Sequence, residues 1–156
     1  MAPATEVAWC AGLFDGEGSI TIGGRARTDW RLSMTLTDRD LVERYVSGIG
    51  IGRVMGPYAY RRNPDWKPYY AWRVTRRADV RAVLKLLLPY LGARRAEKAR
   101  LVIEQIDEAN VTAIRRMLAS GKWTQARVCD RLGVSEYWVR VAMSEPSSTP
   151  GLGESA

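Results

Sequence analysis

The spacing of hydrophobic and polar residues predicts a helix followed by two strands at the start of the chain. Apolar residues recur at helical spacing over 6–14, and apolar and polar residues then alternate over 19–22 and 30–36. Alternation places the apolar side chains on one face of a strand and the polar ones on the other. This pattern is typical of an antiparallel sheet with one solvated face.

The same order of elements then repeats. A helix with its apolar face over 41–49 ends before Gly50, and two strands, one from 51 to 55 reaching 60 and one over 69–75, flank the turn-prone residues 63–65. Helices over 78–88 and 94–108 follow, with Pro89 between them. The order αββαββα predicts an α+β domain in which helices cover one face of the sheet and the other faces solvent.

The pattern changes after Asn110. Three short helices are predicted between there and Met143, and the rest of the chain is rich in Pro, Gly and Ser. We therefore expect three parts: a core domain over 1–109, a small all-α domain over 110–143 and a disordered tail over 144–156.

Charge and composition narrow the function classes. The net charge of +7 favours a polyanionic partner, and the absence of histidine excludes a Ser-His-Asp triad and histidine metal ligands. Cys10 and Cys129 are too far apart in sequence to form a zinc knuckle. The chain has no apolar run long enough for a membrane helix and no signal peptide, so we expect an intracellular protein that does not bind membranes.

The first helix ends in a glycine-rich turn with two carboxylates, Asp15 and Glu17, and small residues recur every four positions at Ala8, Gly12 and Gly16. If two such helices pair, two Glu17 side chains meet, and a hard divalent cation such as Mg²⁺ would neutralise them. Metals held in this way support phosphodiester hydrolysis. The alternative is a purely structural turn in which Asp15 caps the helix end or braces the turn.

The segment over 11–18, AGLFDGEG, resembles the signature motif of the LAGLIDADG homing endonucleases. The segment over 32–38 is similar to the second strand of that family, and the segment over 49–54 is similar to the start of its third strand. Two positions depart from the usual motif: Cys10 replaces a leucine, and Glu17 replaces the final aspartate while keeping the carboxylate.

The resemblance implies a site-specific homing endonuclease of a mobile element, which makes a staggered double-strand break in a long pseudo-palindromic DNA site with Mg²⁺ and takes no small-molecule substrate. It implies that Glu17 and the Gly16 carbonyl bind the metal and that Arg95 and Lys98 assist catalysis. A single motif implies a homodimer, with an interface at Ala8, Ala11, Gly12 and Asp15.

The resemblance also implies that the polar face of the sheet binds the DNA major groove. A basic and aromatic stretch over 53–77 adds seven cations against one acid, whereas Tyr70, Trp72 and Val74 are predicted to face the core. The residues expected to contact DNA from the sheet and this stretch are Ser19, Thr21, Arg25, Arg27, Arg31, Ser33, Thr35, Arg61, Arg62, Lys67, Tyr69, Arg73 and Thr75.

The pattern over 125–139 is similar to a helix-turn-helix, with Gly133 in the turn. Its second helix would direct Ser135, Tyr137, Trp138 and Arg140 toward a major groove. The alternative is a helical appendage that braces the core or the dimer.

Two other functions remain open on the same scaffold. One is a noncatalytic DNA-binding regulator that uses the helix-turn-helix for specificity. The other is an intron RNA splicing helper, in which the basic aromatic stretch stacks on RNA bases.

Overall fold

The computed structural model describes residues 2–24, 29–63 and 65–144. The chain divides into two compact units, the first ending at Asp107 and the second beginning at Glu108. In the described residues, the helices are α1 (Ala4–Glu17), α2 (Arg39–Ile49), α3 (Arg77–Leu87), α4 (Ala93–Ala119), α5 (Gln125–Leu132) and α6 (Glu136–Ser144), with a short 3-10 helix at Leu88–Tyr90. The strands are β1 (Gly18–Gly23), β2 (Asp29–Leu36), β3 (Val54–Tyr58) and β4 (Tyr69–Val74).

The four strands form one antiparallel sheet in the order β1-β2-β4-β3. One face of the sheet carries buried apolar residues such as Ile20, Leu32 and Met34, and the alternate positions on the other face are largely exposed. The predicted α+β class, with the order αββαββα and one solvated sheet face, is confirmed.

The core of the first unit is centred on Trp72 of β4, which is fully buried. Its ring makes edge-on contacts with Phe14 of α1 and Tyr45 of α2, with centroids 6.3 and 5.0 Å away. The Trp72 Nε1–H donates to the Ile51 carbonyl at 2.8 Å, so the ring's polar atom is satisfied inside the core. Each large apolar side chain buried here contributes about 1.5–3 kcal/mol relative to exposure.

Two glycines allow helices and strands to approach closely. A Cβ on Gly18, where α1 passes directly into β1, would overlap the Phe14 ring. A Cβ on Gly48 of α2 would lie 2.7 Å from the Cys10 Sγ of α1. Cys10 is consequently fully buried, and this burial raises its pKa to about 11.

Helix α4 differs from the sequence prediction, which ended a helix at residue 108. The structure has one continuous helix from Ala93 to Ala119. Ile106, Asn110 and Ile114 are all buried at four-residue spacing. The helical period therefore continues through the change of residue pattern at Asn110.

The second unit has its own small core, formed by Ile114, Val128, Val139 and Ala142. Helix α5 begins at the Thr124 cap, whose hydroxyl accepts from the Arg127 N–H at 3.4 Å, and ends at Gly133 with a φ of +65°. None of the helices in the described part of the chain has the length and apolarity needed to cross a membrane.

Candidate active site and nucleic-acid interface

The corner between α1 and β1 presents Glu17. It is the last residue of α1, and both it and Gly16 are exposed. The buried Gly18 adopts an extended conformation, and its N–H donates to the Phe14 carbonyl. Because Gly18 has no side chain, the backbone can pass beside the Phe14 ring as α1 continues directly into β1, and Glu17 lies where the helix meets the sheet.

Asp15 has a different environment from Glu17. It is half-buried, and its Oδ2 accepts a hydrogen bond of 2.7 Å from the Gly92 N–H, just before α4. A Cβ on Gly92 would lie 3.2 Å from that same oxygen. Asp15 Oδ1 is buried without a hydrogen-bond partner among the described residues. The carboxylate therefore ties the end of α1 to the start of α4.

Of the two predicted catalytic cations, Arg95 packs at this corner and Lys98 is exposed. The Arg95 Nη2 donates to the Asp15 carbonyl at 3.0 Å, and its guanidinium lies 5.6 Å from the centroid of the Phe14 ring. Lys98 lies one helical turn further along α4. Positions three apart share a helix face, so both cations lie on one side of α4.

The exposed face of the sheet carries polar residues in rows that cross the strands. Ser19, Ser33 and Arg73 form one row, and Thr21 pairs with Arg31 in the next. All of these are exposed except Ser33, which is half-buried. Thr35 and Thr75 are exposed and Tyr69 is half-buried, whereas the predicted positions Arg25 and Arg27 lie outside the described residues.

This arrangement was compared with known proteins. No family model and no curated protein sequence matches the chain. Among solved structures, the homing endonuclease I-CvuI in complex with its target in the presence of Ca is similar at a TM-score of 0.55 and 19% identity, over 94% of this chain and 87% of that one. The homing endonuclease I-TnaI is similar at a TM-score of 0.52 and 15% identity, over 92% of this chain and 97% of that one. The intron-encoded homing endonuclease I-CeuI, complexed with DNA, is similar at a TM-score of 0.53 and 12% identity, over 85% of this chain and 68% of that one.

The chain has the LAGLIDADG homing endonuclease fold. Helix α1 contains most of the segment over 11–18, which resembles the signature motif of that family.

Helix α1 presents small residues on its accessible side. Gly12 and Gly16 are exposed, and a Cβ at either position would meet nothing within 4 Å. Ala8 is half-buried. The prediction for Ala11 needs correction, because Ala11 is fully buried and its methyl group packs inside the protein's own core. Asp15, also predicted at the interface, makes the intrachain bond to Gly92.

The donor set at the end of this helix suits a hard divalent cation. Glu17 supplies carboxylate oxygens, and Gly16 is among the last residues of α1, whose carbonyls lack helical partners. The C-terminal end of a helix also carries partial negative charge. Among the described residues, no group of three His, Cys, Asp or Glu side chains that could hold a metal is present.

The β3–β4 hairpin carries an aromatic cluster, Tyr58, Tyr60, Trp66 and Tyr69. The Tyr69 ring lies 5.5 Å from Tyr58 and 4.8 Å from Tyr60, and Tyr60 lies 5.2 Å from Trp66, measured between centroids. The predicted DNA contacts Arg61, Arg62 and Lys67 are exposed beside it. As predicted, Trp72 and Val74 of the same hairpin are in the core, while Tyr70 is half-buried.

In the second unit, α5 and α6 are joined by a short turn at Gly133, Val134 and Ser135. Ser135, Tyr137 and Arg140 are exposed. Trp138 differs from its prediction, since it is half-buried and packs against the core of this unit. Its ring is edge-on to Tyr137, with centroids 5.6 Å apart.

Sequence reasoning missed several supporting contacts. No feature of the sequence around Gly92 identifies it as the hydrogen-bond partner of Asp15. The Trp30 Nε1–H donates to Gln105 Oε1 at 3.0 Å. Arg81 forms a bidentate ion pair with Asp107, in which two guanidinium nitrogens donate to the two carboxylate oxygens. Both contacts attach α4 to the rest of the first unit, and neither follows from periodicity, because the partners are far apart in sequence.

Proposed function

We propose that the protein is a homing endonuclease of a mobile element, which makes a staggered double-strand break in a long pseudo-palindromic DNA site as a Mg²⁺-dependent homodimer. The observation that carries the proposal is the exposed position of the Glu17 carboxylate. This carboxylate is exposed at the corner between α1 and the solvated sheet face, whereas the neighbouring Asp15 is hydrogen-bonded within the scaffold.

Glu17 and the Gly16 carbonyl are the proposed metal ligands. Their hard oxygens, at the negative end of α1, match what Mg²⁺ prefers. When bound, the metal supplies activation of the attacking water and stabilisation of the leaving oxygen. The residues of this chain place the carboxylate there and keep its geometry through the Gly18 turn and the bond from Gly92 to Asp15.

Homodimerisation is supported by α1 itself. Gly12 and Gly16 have open space around them, so the packing of the protomer does not explain why they are small. Small residues on one face allow a second helix to approach closely. A two-fold axis through α1 would bring two Glu17 side chains together, so that two carboxylates could share the metal site.

The two cations of α4 have separable roles in this proposal. Arg95 is a positioning residue, because its guanidinium already donates to the Asp15 carbonyl and lies near Phe14. Lys98 is exposed on the same side of the helix. We assign to Lys98 the contact with the scissile phosphate, where a positive charge would stabilise the developing negative charge.

The exposed sheet face is the proposed DNA-reading surface, in keeping with the DNA-bound structural neighbours. Arg31 and Arg73 can bind guanine edges or phosphates, and the rows of Ser and Thr hydroxyls can donate to bases or accept from them. Arg61, Arg62 and Lys67 on the hairpin would contact backbone phosphates. Ser135, Tyr137 and Arg140 of the α5–α6 pair would add contacts to flanking DNA.

The proposal is tested by incubating the wild-type protein and Glu17→Gln with a randomised duplex DNA library, in Mg²⁺ or in EDTA. Both bound fragments and newly created ends are sequenced. We expect new ends at one motif with the wild type in Mg²⁺ alone, and enrichment of the same motif without cleavage for Glu17→Gln. Full cleavage by Glu17→Gln would overturn the assignment of Glu17 as metal ligand.

Two outcomes would favour the other functions. Enriched binding by the wild type without new ends indicates a noncatalytic regulator that reads DNA with the same surfaces. Preference for folded RNA over duplex DNA indicates a splicing helper.

A further inference from the structure

The aromatic cluster on the β3–β4 hairpin exposes more ring surface than a packing role needs. Trp66 is 59% exposed and Tyr58 is 43% exposed, in contrast with the fully buried Trp72 of the same hairpin. Large aromatic side chains usually bury most of their surface, so exposed rings in contact with one another indicate a surface for a ligand.

The cluster is held in place by the hairpin. Tyr58 and Tyr69 are cross-strand partners in β3 and β4, so their rings are neighbours on one side of the ladder. The backbone N–H of Trp66 donates to the backbone carbonyl of Asn63 at 3.1 Å. This bond fixes the backbone at the residue that carries the indole ring. Tyr60 lies between these two parts, in ring contact with both Tyr69 and Trp66.

The positive charges around these rings favour an anionic ligand. Arg61, Arg62 and Lys67 are exposed, and the described residues provide no ion pair for any of the three. Asp65 is the one acid between Arg53 and Arg77 in the sequence. Exposed aromatic rings surrounded by unpaired cations are the combination that binds a base by stacking and its phosphates by charge.

We propose that the aromatic cluster binds an unpaired nucleobase of a single strand, with Trp66 as the main stacking ring and Arg61, Arg62 and Lys67 on the adjoining phosphates. Duplex DNA keeps its bases stacked inside the helix, so stacking of an unpaired base on this cluster is an additional activity, beyond the contacts that Arg61, Arg62 and Lys67 are proposed to make with duplex phosphates. The inference does not depend on cleavage by Glu17.

The test uses the full chain in EDTA, so that cleavage plays no part. Binding of three fluorescent strands of equal length is measured by anisotropy: oligo(dT), oligo(rU) and a strand of abasic deoxyribose phosphates. The variants are Trp66→Leu and Tyr58→Leu, with Tyr90→Leu as the matched control, because Tyr90 is also 43% exposed but lies outside the hairpin. Thermal unfolding confirms that each variant is folded.

We expect Trp66→Leu to weaken binding to oligo(dT) or oligo(rU) by at least about fivefold, and Trp66→Phe to restore most of it, since every base can stack on an aromatic face. Binding to the abasic strand should stay unchanged in all variants, and Tyr90→Leu should behave as wild type on all strands. The strand that binds more tightly, oligo(dT) or oligo(rU), identifies the source of the base.

Two results would overturn the proposal. Equal losses on the abasic strand and on the base-bearing strands would mean that the ring supports the hairpin and binds no base. Unchanged binding in both Trp66→Leu and Tyr58→Leu would mean that charge alone holds the strand.

Discussion

At the scale of single residues, Asp15 and Glu17 show how environment separates two carboxylates in one turn. Asp15 is half-buried and accepts from the Gly92 N–H, whereas Glu17 is exposed. A buried, bonded carboxylate contributes to folding, and an exposed one is available to a ligand. The alternative of a bracing role, left open for Asp15 by the sequence, agrees with its bond to Gly92.

Replacing Asp15 with alanine should lower the free energy of unfolding by about 0.5–1.5 kcal/mol, because the hydrogen bond from the exposed Gly92 N–H to this carboxylate is lost. Urea denaturation measures this change. Glu17→Gln is the matched control and should stay within about 0.5 kcal/mol of wild type, as expected for an exposed side chain. Equal destabilisation by both variants would contradict the division of roles.

The two cysteines should differ in reactivity. Burial raises the pKa of the Cys10 thiol to about 11, so at pH 8 only about one Cys10 in a thousand is a thiolate in the folded protein. Cys129 is half-buried. In a thiol assay of the native protein we expect Cys129 to react first and Cys10 to react at the rate of unfolding. Fast modification of Cys10 in a Cys129→Ser variant would contradict its burial.

At the scale of elements, helix α1 has two faces with opposite demands on side-chain size. Its inner face packs so tightly on α2 that Gly48 opposes Cys10 with no room for a Cβ. Its outer face has open space around Gly12 and Gly16. The inner face is a requirement of the protomer, and the outer face is the proposed requirement of the dimer.

Gly12→Leu and Gly48→Ala should therefore fail in different ways. Gly12→Leu is expected to fold normally but to sediment as a monomer, because the added side chain keeps a second helix away. Gly48→Ala is expected to lower the melting temperature, since the new methyl group would lie 2.7 Å from the Cys10 Sγ. Analytical ultracentrifugation and thermal unfolding separate the two effects. A Gly12→Leu protein that remains dimeric would contradict an α1 interface.

The sheet face predicts a specific salt dependence. Arg73→Gln should weaken duplex binding and reduce the slope of log affinity against log salt by about one, if Arg73 contacts a phosphate. Arg39→Gln serves as the control, because Arg39 is an exposed cation of α2 paired with Glu43 at 2.8 Å. Equal effects of both substitutions would indicate general charge attraction without a defined sheet surface.

Local periodicity was sufficient to predict the strands β1 and β2, the polar sheet face and the core position of Trp72. These features depend on side-chain alternation within a few residues. The bond between Asp15 and Gly92 joins segments 77 residues apart, and no local pattern encodes it. The placement of Trp138 and the continuity of α4 were also missed, because the identity of a residue does not specify which neighbours cover it.

At the scale of the whole molecule, the charge of the chain suits the proposed substrate, and the proposed metal site involves two copies of the chain. Its net charge of +7 and its exposed arginines suit a polyanion. In the described residues, however, no cluster of three potential ligand side chains could hold a metal within one protomer. In the proposed homodimer, Glu17 of the second copy would lie across the two-fold axis and join the metal site.

The most direct test is the total rate of strand scission, with nicks and double-strand breaks both counted, when wild type and Glu17→Gln are co-expressed in different ratios so that subunits pair at random. If both Glu17 side chains share one metal centre, the Mg²⁺-dependent rate should follow the square of the wild-type fraction, and an equal mixture should give about one quarter of the wild-type rate. A rate that falls linearly, to about one half in the equal mixture, would show that each chain cuts alone and would contradict the shared site.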